Sequence, residues 1–119
     1  MPTEVTGQLH ESGRVVLDSS GYGEIYFSVY NAWQRWEVDS VVVKTSQATD
    51  QTPYPKAEVY AGFIADAFSQ GATWTGNQDT FSGRVDVDDG TDMIIVFSGG
   101  IAGTTATAIV YGKRYTRIS

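Results

Sequence analysis

Four aspartates gather around one glycine in the stretch GRVDVDDGTDMIIVFSGG, residues 83 to 100, where Asp86, Asp88, Asp89 and Asp92 flank Gly90. Alternating carboxylates beside a glycine are the raw material of a calcium loop. Such a loop needs oxygen ligands at positions one, three and five, glycine at six and a bidentate carboxylate at twelve. Counted from Asp86, the glycine falls at position five and position twelve is Phe97, whose ring has no oxygen to give. Asp and Gly also favour turns for their own conformational reasons. Asp88, Asp89 and Gly90 therefore read as a structural turn of a hairpin, with Arg84, Asp86 and Asp88 as a polar row on one strand face. Two registers fit this turn: one puts Val85 and Val87 on the face of Met93, Ile95 and Phe97, the other aligns them with Ile94 and Val96. No metal and no other cofactor is expected.

Other arrangements offer less chemistry. His10 is the single histidine, so a Ser-His-Asp triad would rest on it alone, and no GxSxG accompanies it. The GGIAG segment lacks the spacing of a dinucleotide loop and has no helix pattern after it. Nothing singles out a glycosidase pair among the carboxylates. No catalytic residue is assigned, and the chain is expected not to be an enzyme. Aromatic rings are better represented: Trp33, Trp36 and Trp74, with Tyr22, Tyr54 and Tyr60, could stack on a sugar. Trp36 is in phase with Val38 and is expected in the core, whereas Trp74 sits in the polar loop ATWTGNQDT. The candidate binding residues are Trp33, Tyr54, Trp74 and Asn77.

Any such residues must be carried by one domain, since 119 residues suffice for a single core that buries roughly two-thirds of the unfolded surface. The absence of cysteine excludes disulfides, thiolate nucleophiles and Cys-based zinc sites. With 14 acidic and 8 basic residues the net charge is -6, which opposes binding to nucleic acid. The only basic cluster, Lys113, Arg114 and Arg117, reads as the solvated edge of a terminal strand. No membrane-spanning run and no signal peptide is apparent in the opening MPTEVTGQLH.

Short β-branched and aromatic runs recur between glycine-rich breaks, and no long segment keeps a helical period. The expected strands are Glu4 to His10, Arg14 to Asp18, Glu24 to Tyr30, Gln34 to Thr45, Lys56 to Gly62, Phe81 to Asp88, Asp92 to Ser98 and Thr104 to Tyr115. Turns fall at GYG, TDQTPYP, DDGT and GGIAG, and AGFIADAFSQ is a loop with at most one helical turn. In WEVDSVVVKT, Trp36, Val38 and Val42 alternate with Glu37, Asp39 and Val43 as buried and wetter faces. MIIVF is apolar on both faces, as for a central strand or one that meets a neighbouring subunit. The whole reads as an all-β, two-sheet antiparallel sandwich of about eight strands, jelly-roll-like ahead of immunoglobulin-like.

PKAEVYAGF, TWTGNQDTFSG, the strand ending IIVFSGG and the closing IAGTTATAIVYGKRY together form a pattern spanning about residues 36 to 113. It resembles small β-sandwich virion structural proteins of tailed bacteriophages, especially those infecting actinobacteria. GFIADAFSQ is more apolar than that pattern expects, and residues 1 to 35 match it little. The resemblance implies a virion component made in the host cytoplasm, most of all a capsid decoration protein. A minor tail or fibre-tip protein is its alternative, and a carbohydrate-binding sandwich that reads a host glycan is the rival class. The implied partners are its own copies, as a trimer, and a major capsid or tail protein, with residues 1 to 12 as a candidate attachment segment. From the failed ligand register, calorimetric titration with millimolar calcium is expected to give no saturable heat, and a melting temperature that climbs with calcium would contradict it.

Overall fold

The computed structural model describes residues 4–29, 33–46, 56–62, 69–73, 78–88 and 91–117. These hold eight strands: β1 (Glu4–Val16), β2 (Gly23–Ser28), β3 (Gln34–Thr45), β4 (Lys56–Ala61), β5 (Ser69–Thr73), β6 (Gln78–Val87), β7 (Asp92–Ser98) and β8 (Thr105–Arg117). There is no helix among the described residues. Two four-stranded sheets result, ordered β1-β8-β3-β6 and β2-β7-β4-β5. The antiparallel pairs β1–β8, β2–β7, β3–β6 and β4–β5 nest one inside the next, as in a single long hairpin rolled so that successive pairs alternate between sheets. Pairing of β8 with β3 and of β7 with β4 closes the roll. This is the jelly roll.

Alternation along the strands puts one face of each sheet into a shared core. Leu9, Val38, Val41, Val85, Ala108 and Val110 come from the first sheet, and Ile25, Phe27, Val59, Met93, Ile95 and Phe97 from the second. Burying a Val, Leu, Ile, Met or Phe side chain stabilises the fold by about 1.5–3 kcal/mol, so this interface carries most of the folding energy.

Several expectations change in the folded chain. The two strands expected before residue 18 are one, because Gly13 faces inward where a Cβ would lie 2.7 Å from Ile25 Cγ2; this glycine is a close approach of β1 to β2 and not a turn. β5 was not foreseen, since SQGAT has few residues of high β propensity; residues 63–68, the rest of the expected loop and helical turn, lie outside the described residues. β6 and β7 do not form a hairpin: they belong to opposite sheets, so Val85 and Val87 meet Met93, Ile95 and Phe97 across the core. Thr91 N–H donates to the Asp88 carbonyl at 3.0 Å, and the expected turn residues Asp89 and Gly90 lie outside the described residues. β8 is no edge strand, for β1 and β3 flank it.

A register shift between Val38 and Ser40 interrupts the pairing of β3 with both neighbours. This bulge at Asp39 reverses the alternation, so Val41 and Val43 are buried with Trp36 and Val38, and Val42, expected inside, is only half-buried. Gly112 stands opposite the bulge, and a Cβ there would sit 2.1 Å from the Glu37 carbonyl oxygen. The expected turns GYG and GGIAG pack on one another: Gly21 has φ 75° and accepts a hydrogen bond from Gly100 N–H at 3.2 Å. Asp18 Oδ1 shapes the first of these turns by accepting from Ser20 N–H at 2.9 Å and Tyr22 N–H at 3.1 Å.

Gly112→Ala is expected to lower stability by about 1–3 kcal/mol, the usual cost of overpacking, because the obstructing atoms are backbone. Gly7→Ala, where a Cβ would meet nothing within 4 Å, is the control and should stay within about 0.5 kcal/mol. Urea unfolding of the two variants checks this; equal midpoints would contradict it.

Candidate binding cleft

The outer face of the second sheet is built on β7, whose Ile94 and Val96 point away from the core. Pairing places Tyr26 and Tyr60 on either side of Ile94, and Glu24 and Glu58 on either side of Val96. Tyr60 is buried with the two aliphatic residues, and Tyr22 packs against them. The apolar outer face of MIIVF is thus covered within the chain and is not left over for a neighbour. Tyr22 Oη donates to Glu24 Oε2 at 2.6 Å, Tyr26 Oη donates to Glu24 Oε1, and Tyr60 Oη donates to Glu58 Oε2. These bonds hold the Glu24 and Glu58 carboxyls below the usual range, for Glu24 mainly through Tyr22 and for Glu58 mainly through Tyr60. The bond to Glu24 pushes the Tyr22 hydroxyl up to about 12.

Tyr26 stands at the border of this lattice and of a cleft of about 800 Å³ that opens where the edges of the two sheets part. Glu11 and Gly13 of β1, Phe27 of β2, Trp33 and Trp36 around the start of β3, and Arg114 of β8 also line it. Arg114 Nη2 and Glu11 Oε1 form an ion pair at 2.7 Å with both side chains partly exposed. Trp33 is 53% exposed; its carbonyl accepts from Arg117 N–H at 2.7 Å, and the Arg117 guanidinium lies 5.5 Å from its ring centroid. Trp36 is only 6% exposed, yet its buried indole N–H has no hydrogen-bond acceptor among the described residues. The arrangement suits recognition by stacking and hydrogen bonding.

Of the candidate binding residues, Trp33 lines this cleft, while Tyr54, Trp74 and Asn77 lie outside the described residues. Trp36 is a core residue as expected and also a cleft residue, a double role that alternation could not reveal. Glu11, Arg114 and Tyr26 were missed, because only the β1–β8 ladder and the sheet edges bring such distant positions together. The basic cluster is divided: Arg114 pairs with Glu11, and Arg117 approaches Trp33.

Elsewhere the polar rows are internally matched. Arg84 Nε bonds Asp86 Oδ1 at 3.0 Å and Arg84 Nη2 lies 3.5 Å from Glu37 Oε2, as a solvated strand face requires. No group of three metal-capable side chains occurs among the described residues. His10 is exposed and stacks on Tyr111, with ring centroids 5.0 Å apart and planes 11° from parallel. No described helix is long and apolar enough to cross a membrane.

Because the folded Tyr22 pKa is raised from 10.0 to about 12, its contribution to stability is complete below pH 10 and is lost as pH climbs through 12. Glu24→Ala should return the Tyr22 titration towards 10, its ordinary value. Phenolate absorbance followed through an alkaline titration checks this, and unchanged curves would contradict the bond.

No protein-family model matches this sequence, and no curated protein matches it.

Proposed function

We propose that this chain is a non-enzymatic structural protein of a bacteriophage virion, a decoration protein that sits on the capsid surface with other copies of itself. The observation that carries the reading is the nested strand order, β1-β8-β3-β6 over β2-β7-β4-β5. Viral capsid domains and lectins both use this architecture, so the fold by itself supports a coat or recognition role without naming one. The quoted motifs add to it: AEVYA lies in β4, IIVFS in β7 and TATAIVYGKRY in β8, three strands that each sit between two neighbours.

The outer face of the first sheet offers surface for contact with copies or with a capsid protein. It presents Val16, 62% exposed, and the stacked His10 and Tyr111 among charged and hydroxyl side chains. Such mixed surfaces are usual for subunits that fold first and assemble later. A trimer is proposed by analogy with the local threefold positions of a capsid.

Mass spectrometry of purified particles is expected to find the chain at a copy number comparable to that of the major capsid protein. A few copies per particle would move it to the tail or fibre tip, and its absence from particles would overturn the structural reading.

A further inference from the structure

We infer that the cleft between the sheet edges is a binding site for a neutral pyranose sugar, held by Trp33 and Tyr26 through stacking and by Trp36, Glu11 and Arg114 through hydrogen bonds.

The buried indole N–H of Trp36 is the strongest sign of an occupant. Native folds rarely bury a donor without an acceptor, and this one belongs to a side chain in the wall of an open cleft. The N–H is closed to solvent in the free protein, so a ligand oxygen would satisfy it on a small turn of the ring towards the cleft.

The rings at the mouth narrow the class. Trp33 is 53% and Tyr26 54% exposed, and each presents an apolar surface with a polar edge. A pyranose has the matching character, with C–H groups on its faces and hydroxyls around its rim.

The ion pair narrows it further. Glu11 offers acceptors and Arg114 offers donors side by side, which suits neighbouring hydroxyls that both give and accept hydrogen bonds. Their charges already balance at 2.7 Å, so a carboxylated or phosphorylated ligand would have to displace Glu11 from Arg114. The cleft of about 800 Å³ lies within the usual range for small-ligand sites and has room for a monosaccharide or disaccharide.

The inference is independent of the virion reading, since it concerns the isolated chain while that reading concerns particles. The test is calorimetry and saturation-transfer NMR on the full chain with N-acetylglucosamine, galactose and cellobiose. Saturable millimolar or tighter binding of at least one sugar is expected. Trp36→Phe should weaken it about tenfold, equal to about 1.4 kcal/mol, by removing the donor. The same variant leaves space in the core, so the melting temperature of the free protein is expected to fall, and binding is compared where both proteins are folded. Trp33→Ala should also weaken binding at unchanged melting temperature. No saturable binding of any of the three sugars at tens of millimolar would overturn the inference. Binding that both variants leave intact would overturn it as well.

Discussion

β8 is the strand on which the rest of the molecule depends. It is hydrogen-bonded to β1 along one side and to β3 along the other, so the first and last strands of the roll are locked together through it. Its inward residues Ala106 and Ala108 are small and fully buried, and Gly112 gives up its side chain where β3 bulges towards it. Except for β4–β5, every nested pair joins segments far apart in the chain. Closing such loops costs entropy before any ladder is gained, which makes this topology slow to fold and cooperative once formed.

The same ladder builds the cleft. Trp36 and Arg114 are register partners in β3 and β8, and Trp33 is tied to the ladder's end by Arg117. Arg114 then bonds to Glu11 on the neighbouring β1. A binding surface made this way rests on regular strands, and its geometry is fixed by hydrogen bonds that the fold needs in any case. The acidic excess is ordered by the same economy. Glu24 and Glu58 accept from tyrosines that cover β7, Glu37 and Asp86 share Arg84, and Asp18 shapes the first turn.

Much of this was legible in the sequence because burial writes alternation into strands. Val85 and Val87, like Met93, Ile95 and Phe97, showed an alternating set, although two registers stayed open between them and the fold joins them from opposite sheets. The two apolar faces of MIIVF fitted a central strand or one that meets a neighbour, and β7 is central. What failed were features that alternation does not encode. A bulge at Asp39 reverses the pattern beyond it without altering composition. Gly13 looks like a turn residue when it is a point of close sheet contact. The Asp-Gly signal at residues 88 to 90 marks a turn equally well within a sheet and between sheets, and only the global topology decides which. The cleft was the least legible part, since Trp33 alone among its lining residues was named as a binding candidate, and its partners come from strands separated by most of the chain.

The proposed virion role and the inferred sugar site meet in one measurement, a cryo-electron microscopy map of the intact particle at side-chain resolution. The map is expected to show an eight-stranded roll on the particle surface, in contact with the capsid shell and with Trp33 and the Glu11–Arg114 pair open to solvent. A shell whose density has no place for this roll would contradict it, as would a roll seated with that cleft sealed against the capsid.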